Sequence, residues 1–376
     1  MVSTVKVTEG EYLIHLLDSS LKNSQPKQIP KTVNLNKLLY LAKLHRIENL
    51  IYESLVRLQP DDEVLHRYLD LQNRANEVSS LQLAERDTII QTLTESGIRV
   101  LPLKGCLLKE MYPRADMRSM ADLDILIDQE NANKAKSIMK RLGYDCKSMA
   151  GHHASYFMPP IFNVELHIMM VNENSDYYNY YKHVWNRAVQ SKDNPYHYYL
   201  TWNDYYIYML VHFAKHYFHS GSGIRSIMDI HIFINNHSKD LDYDYLKTEL
   251  MKLNLWDFHN NVTALSNVWF AGGKSNDEQD KMAQYIILSG TYGNSSNRIV
   301  NEIQRQKEKC GNLKKAKINY FIKRAFLNKT TMLYSYPFLS TFAFMLPFCW
   351  VHRLIKAMLF KQSRIKNEII KLQAVK

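Results

Sequence analysis

Two carboxylates stand one residue apart at Asp122 and Asp124, in the stretch ADLDILID. The stretch alternates polar and apolar residues, which predicts a β-strand with one buried face. Side chains two residues apart on a strand point to the same side, roughly 6 to 7 Å from each other. Mg²⁺ prefers carboxylate oxygens and is usually held by one or two carboxylates together with substrate phosphates. The pair therefore predicts a site for Mg²⁺ or Mn²⁺.

A third acid lies in a second alternating stretch, NVELHIM, where Glu165 and His167 share one side. An acid on a neighbouring strand would complete a two-metal site, in which one metal activates an attacking hydroxyl and the other holds a triphosphate. We expect Glu165 to be this ligand. An Asp-x-Asp pair alone is weak evidence, because acidic pairs also close many strands as solvated ends.

A candidate phosphate contact precedes the acids. The run IRVLPL predicts a short strand and KGCLLKEMY returns to helical spacing, so a strand-to-helix turn is expected at Lys104 and Gly105. Such a turn presents free backbone N–H groups, a positive helix end and an ammonium; the alternative is a plain turn. Arg118 could add a second cation, although a surface arginine is the commoner explanation.

The segment LPLKGCLLKEMYPRADMRSMADLDILID resembles the signature of the uncharacterised nucleotidyltransferases of the DNA polymerase β superfamily. That signature is a strand ending in Lys-Gly, a helix, Tyr-Pro, then Arg and Asp-h-Asp, where h is apolar. The positions that match it are Lys104, Gly105, Tyr112, Pro113, Arg118, Asp122 and Asp124. The later Glu-h-His strand of that family resembles NVELH, and the similarity extends over most of the chain, more loosely outside the core.

The resemblance implies an enzyme that transfers a nucleoside monophosphate from a nucleoside triphosphate, such as ATP, to an acceptor hydroxyl or phosphate with release of pyrophosphate. Its implied metal ligands and catalytic residues are Asp122, Asp124 and Glu165. Its implied nucleotide-binding residues are Lys104, Gly105 and Arg118. One departure is Cys106, where the wider superfamily carries a serine or glycine after its first strand. The alternative function is a catalytically silent nucleotide-binding or scaffold protein.

The elements that must position these residues are mostly helical. Residues 38–93 and most of the chain beyond Trp202 show apolar recurrence at three and four residues, and the middle alternates strand and helix patterns. With only 12 Gly and 10 Pro there are few turn residues. We expect a mostly α member of the α+β class: an N-terminal helical bundle (1–96), a nucleotidyltransferase core with a small mixed sheet (97–190), a C-terminal helical domain (191–330) and an apolar, basic helical segment (331–376).

Composition constrains the partners. Hydrophobic residues make up 46% of the chain and charged residues 23%, which is ordinary globular usage. The net charge of +11 favours anionic partners such as nucleotides, nucleic acid or acidic lipid. The basic excess looks spread along the chain, which ranks nucleic acid lower. The four cysteines are scattered, and the N-terminus lacks an export pattern, so a cytoplasmic setting is expected.

The C-terminal segment leaves its partner open. Its apolar run, residues 337–351, is shorter than the roughly 20 residues of a membrane-spanning helix, and Pro347 interrupts it. The basic residues that follow would suit peripheral contact with an acidic membrane. The favoured expectation is instead a buried packing helix with a solvated basic tail.

Overall fold

The computed structural model describes residues 7–58, 62–333, 335–360 and 362–374. About two thirds of the chain is helical (65%), beside a small mixed sheet of five strands, which confirms the predicted α+β, mostly α class. The chain divides into two compact units. The first comprises the described residues up to Ala214 together with Gly223–Thr291, and the second comprises Lys215–Ser222 together with the described residues from Tyr292 onward.

Four helices precede the sheet: α1 Val7–Leu21, α2 Leu35–His45, α3 Glu48–Leu58 and α4 Asp62–Glu95. Asn34 begins α2 as an N-cap, since its side chain accepts a hydrogen bond from the backbone N–H of Lys37. The long α4 places Ile89 and Leu93 in the hydrophobic core beneath the sheet. Helix α4 therefore shares one core with the strands that follow.

The sheet is built from β1 Val100–Pro102, β2 Leu123–Ile127, β3 Asp145–Ala150, β4 His153–Met158 and β5 Phe162–His167, with helices α5 Gly105–Met111 and α6 Ala132–Arg141 between strands. Its strand order is β1-β2-β5-β4-β3. The β2–β5 pair is parallel and the other three pairs are antiparallel. Helix α6 buries Ala135, Ile138 and Met139 against the sheet, as its apolar stripe predicts.

Strand β2 differs from its prediction. All five of its residues are buried, not only the apolar face. Ile125 and Ile127 lie in the core. Asp124 is buried on the opposite side, where its carboxylate contacts Lys104 and His167 instead of solvent. The alternating pattern therefore marked the two faces correctly but not the environment of the polar one.

The first unit continues with α7 Tyr178–Tyr181, β6 Val189–Gln190, β7 Tyr198–Tyr199, α8 Trp202–Tyr217, whose last turn belongs to the second unit, and then α9 Ile224–His237, α10 Tyr243–Lys252, α11 Trp256–Phe270 and α12 Asp277–Ser289. Tyr205 and Tyr206 of α8 stack on Phe233 of α9, with ring centroids 5.7 and 5.5 Å away. This aromatic contact holds α8 and α9 together.

The second unit contains α13 Ser295–Cys310, α14 Leu313–Ala325, α15 Lys329–Leu333, α16 Leu346–Phe360 and α17 Gln362–Ala374. By length and composition alone, the stretch Ala343–Phe360 would suffice to cross a membrane, since the helix runs on past Val351. Only 6% of that stretch is buried. The favoured expectation of a buried packing helix is therefore wrong here.

The predicted domain boundaries fall at different kinds of position. The boundary at 96/97 lies between the end of α4 and β1, whereas 190/191 directly follows β6, and 330/331 lies within α15. The division of the chain into four segments stays a prediction.

Candidate active site

Strand pairing brings two of the predicted acids together. The parallel register of β2 and β5 sets Asp124 directly opposite Glu165. One carboxylate oxygen from each residue and one ring nitrogen of His167 all lie within 4.8 Å of one another. Two oxygens and a nitrogen converging at this spacing form a donor set that a divalent cation can use.

Two side chains, Lys104 and His167, contact the same carboxylate oxygen of Asp124. Its Oδ1 accepts from Lys104 Nζ at 2.9 Å and lies 2.7 Å from His167 Nε2. Burial acts to raise the pKa of Asp124, which is 2% exposed, but the Lys104 ammonium and His167 hold that pKa well below its usual range. These partners therefore favour the ionised form of the carboxylate.

The other two acids behave differently. Asp122 directly precedes β2 and is half-buried, and Glu165 is half-buried on β5. Burial together with repulsion from Asp124 raises the pKa of Asp122 and that of Glu165. Asp122 stands outside the Asp124, Glu165 and His167 group in the described chain. The three acids thus form a crowded negative site, whose repulsion a divalent cation would relieve.

Lys104 sits at the predicted strand-to-helix turn in an unusual backbone conformation. Its φ is +43° and its ψ is −117°, a region that favours glycine. Its carbonyl accepts from Tyr205 Oη at 2.5 Å. Burial acts to lower the pKa of Lys104, but nearby Tyr208 and Asp124 raise it above its usual value. A strained residue whose ammonium points at the acids is what a functional site often retains.

Gly105 is required by close packing. A Cβ at this position would lie 2.7 Å from Arg118 Nη1 and 3.0 Å from Met120 Sδ. Cys106 follows it and is fully buried, with Sγ donating to the carbonyl of Asp124 at 3.3 Å. Burial raises the pKa of this thiol to about 12. The residue that replaces a phosphate-binding serine therefore faces the strand backbone.

Arg118 pairs with Asp229 and not with the predicted metal ligands. It is 8% exposed, and its Nε and Nη2 donate to the two carboxylate oxygens of Asp229 at 2.8 and 2.9 Å. Tyr112 Oη donates to the same carboxylate at 2.7 Å. Arg225 of α9 donates to the carbonyl of Ser119, the residue after Arg118. Contact of Arg118 with a triphosphate stays a prediction.

Two neighbours were not assigned from the sequence. His152 and His153 looked like exposed loop residues, but His153 begins β4 opposite His167, and both are half-buried. His153 Nε2 lies 3.9 Å from Glu165 Oε1. The alternation in HASYFM could have revealed the strand, but its partner strand could not be read from local pattern. Neither His212 nor His216 joins a group of metal-ligating side chains in the described chain.

Comparison with known proteins gives one family. The family described as uncharacterised nucleotidyltransferase matches residues 31–271, which includes every residue of the site. No match is found among curated proteins or among solved structures.

Proposed function

Because the chain belongs to the uncharacterised nucleotidyltransferase family, we propose that it transfers a nucleoside monophosphate from a nucleoside triphosphate such as ATP to an acceptor hydroxyl or phosphate. The observation that carries the proposal is the register that pairs Asp124 with Glu165, beside the ammonium of Lys104. Family membership supports a transferase. This geometry supplies the carboxylates that such a reaction uses to hold metal and a lysine ammonium that can contact phosphate.

The donor set suits Mg²⁺ or Mn²⁺. Asp124, Glu165 and the adjacent Asp122 would hold the ions, and the chemistry they supply is neutralisation of the triphosphate and activation of the acceptor. The raised pKa values of Asp122 and Glu165 support this, because burial and then repulsion among the carboxylates disfavour the negative charge that a bound cation would neutralise. His167 would orient Asp124 through its 2.7 Å contact.

Lys104 would exchange partners when substrate binds. In the free protein its ammonium neutralises Asp124 at 2.9 Å. A cation bound at the acids would repel it, and the triphosphate would offer a new anionic partner next to the turn at Gly105. The lysine would thus neutralise Asp124 before substrate binds and contact a phosphate in the complex.

Glu165 is the residue best suited to accept a proton. It is half-buried, whereas Asp124 is 2% exposed and its Oδ1 already contacts Lys104 and His167, so Glu165 has the carboxylate more open to an acceptor. The acceptor O–H would lose its proton to Glu165 as its oxygen bonds to the α-phosphorus. The bond from the α-phosphorus to the bridging oxygen breaks in line, and pyrophosphate leaves with that electron pair.

The fate of label tests the reaction. NTP labelled on the α- or the γ-phosphate is incubated with the protein, Mg²⁺ or Mn²⁺ and fractionated cell extract as acceptor. We expect α-label on an acceptor, γ-label in pyrophosphate, and a loss of about 10²-fold or more in Asp124→Asn. Metal-dependent NTP binding without release of pyrophosphate would favour the alternative of a catalytically silent nucleotide-binding protein. Transfer of γ-label would contradict both.

A further inference from the structure

The positive charge of the chain is concentrated in its last part. Residues 292–376 contain 17 Lys and Arg and three Asp and Glu, a formal net charge of +14. Residues 1–291 contain 31 basic and 34 acidic residues, a net charge of −3. The expectation that the basic excess is spread along the chain is wrong. Charge concentrated in this way favours an extended anionic partner for the C-terminal part.

The same part exposes apolar side chains in a regular pattern. Phe348, Val351, Ile355 and Leu359 recur on α16 at three- and four-residue spacing and therefore share one face. All four are exposed, Phe348 to 68% and Leu359 to 64%, whereas Cys349 is buried on another side of the helix. Soluble proteins rarely present a contiguous apolar face of this kind without a partner.

Helix α14 packs on α16 near its own end and carries exposed apolar side chains of its own. Its Phe321 and Ile322 are exposed, as is Phe326 just after it. The ring of Phe326 contacts that of Trp350 on α16, with centroids 5.3 Å apart, and Trp350 Nε1 donates to the carbonyl of Leu327 at 2.7 Å. These contacts join the end of α14 to the side of α16 that bears Trp350, which leaves the stripe on the opposite side uncovered.

We propose that this C-terminal surface, the exposed apolar stripe of α16 with the exposed basic residues of α16 and α17, docks on a membrane that contains anionic phospholipid. The apolar stripe would enter the boundary between headgroups and acyl chains, and the exposed Lys356 and Lys366 would lie among the lipid phosphates. Nucleic acid would match the charge but not the stripe. A second copy would match the stripe but carries the same +14. The docking does not depend on nucleotidyl transfer.

Vesicle co-sedimentation of the full chain tests the docking. The probes are phosphatidylcholine vesicles with and without about 30 mol% phosphatidylserine; we expect binding at least about tenfold stronger to the anionic vesicles. That preference should fall at about 1 M NaCl, where charges are screened. The variant Phe348→Ser with Ile355→Ser should lose binding at least about tenfold, since both side chains are exposed and folding should persist. The matched control, Tyr40→Ser with Met251→Ser, removes equally exposed apolar side chains elsewhere.

Four results would overturn the docking. They are equal binding to both vesicle types, unchanged binding in the stripe variant, loss of binding when RNA or DNA competes at equal charge, and a dimer that the stripe variant dissolves without any vesicle binding. Protein that stays with the vesicles after alkaline carbonate would show insertion across the bilayer, which also contradicts surface docking.

A separate observation concerns the histidines beside the acids. One ring nitrogen each of His152, His153 and His167 lies within 4.8 Å of the other two. His152 Nε2 and His153 Nδ1 are 3.3 Å apart, about the separation of two nitrogens bound to one Zn²⁺ at ~2.0–2.1 Å. His167 is buried, its Nε2 contacts Asp124, and its Nδ1 has no hydrogen-bond partner in the described chain.

The geometry points to a transition-metal subsite, for Zn²⁺ or a similar ion, formed by these three histidines. Metal-bound histidines commonly use one ring nitrogen for the metal and the other for a carboxylate, which is the arrangement that His167 and Asp124 offer. Imidazole nitrogen suits Zn²⁺, Ni²⁺ or Cu²⁺, whereas Mg²⁺ prefers oxygen. This subsite adjoins the proposed catalytic acids but does not rest on their activity.

Titration with Co²⁺ in the absence of nucleotide, followed by Zn²⁺ competition, tests the subsite. We expect an intense visible absorption band of tetrahedral Co²⁺ that Zn²⁺ abolishes, and at least about tenfold weaker binding in His152→Ala with His153→Ala. The control His212→Ala with His216→Ala should retain binding, because neither side chain belongs to a group of metal-ligating side chains in the described chain. A weak octahedral spectrum, or equal binding by the variant of His152 and His153, would refute the subsite, while Mg²⁺-dependent NTP binding separately reports on the proposed function.

Discussion

Because the backbone at Lys104 is strained, glycine should be more stable than alanine at this position, which is the reverse of the usual order. A non-glycine residue at φ +43° and ψ −117° costs roughly 1–3 kcal/mol. Replacement by glycine removes this strain, whereas replacement by alanine keeps it. Glycine loses about 0.4–1 kcal/mol relative to alanine through its more flexible unfolded chain. Lys104→Gly should therefore be more stable than Lys104→Ala by roughly 0.5–2 kcal/mol.

Both replacements also remove the ammonium that contacts Asp124 at 2.9 Å. Leaving that carboxylate with fewer partners costs about 1–3 kcal/mol in each variant, so this loss cancels in the comparison. Both variants should bind NTP with Mg²⁺ at least about tenfold more weakly. The strain would then be retained because the lysine side chain is needed, not because the turn requires it.

Urea unfolding of the two variants under identical conditions measures the difference. The control is Lys136→Gly against Lys136→Ala on the exposed face of α6, where alanine should be the more stable by about 1 kcal/mol. If Lys104→Ala equals or exceeds Lys104→Gly in stability, the backbone at 104 is not strained. If Lys104→Gly keeps full NTP binding, the ammonium is not a phosphate ligand.

Three further predictions concern the support of the site and of the first unit. Gly105→Ala should cost about 1–3 kcal/mol of unfolding free energy, because the added Cβ meets an Arg118 guanidinium that Asp229 holds in place. Thermal melting of Gly105→Ala, compared with that of Gly105→Ser, will check this loss. Asp229→Asn should cost about 3–5 kcal/mol by leaving Arg118 buried without its charge partner, an effect absent if urea midpoints stay unchanged. Burial lowers the pKa values of His45 and His259 to about 4, whereas a histidine in the unfolded chain has a pKa of about 6.5. The unfolded chain therefore binds protons first as the pH falls, and the free energy of unfolding should decrease between about pH 6.5 and pH 4 by about 3 kcal/mol per histidine. Urea midpoints measured at a series of pH values will show whether it does.

Local patterns predicted the elements of the site well. The apolar stripe of α6 is confirmed at Ala135, Ile138 and Met139, and the turn at Lys104 and Gly105 lies where strand spacing changes to helix spacing. Each prediction needed only a few consecutive residues, because side-chain periodicity reflects which face is buried. The strand order β1-β2-β5-β4-β3 was not predictable in this way, since pairing joins residues far apart in the chain.

The partners of charged residues were the least predictable feature. Arg118 pairs with Asp229, 111 residues later, and no local pattern connects them. His153 meets His167 only because β4 and β5 are neighbours. The exposure of α16 also escaped prediction, because an apolar helix reads the same whether protein or another surface covers it. Counting charge by region, rather than over the whole chain, would have shown that the basic excess lies in the same part of the chain as α16.

The central claim is that Asp124 and Glu165, with Asp122 beside them, hold divalent metal together with a nucleoside triphosphate. Mn²⁺ binding followed by electron paramagnetic resonance, with and without a non-hydrolysable NTP analogue, tests it most directly. We predict that the analogue tightens Mn²⁺ binding in the wild type and that Asp124→Asn and Glu165→Gln each weaken it at least about tenfold. Equal Mn²⁺ binding in wild type and both variants, unaffected by the analogue, would contradict it.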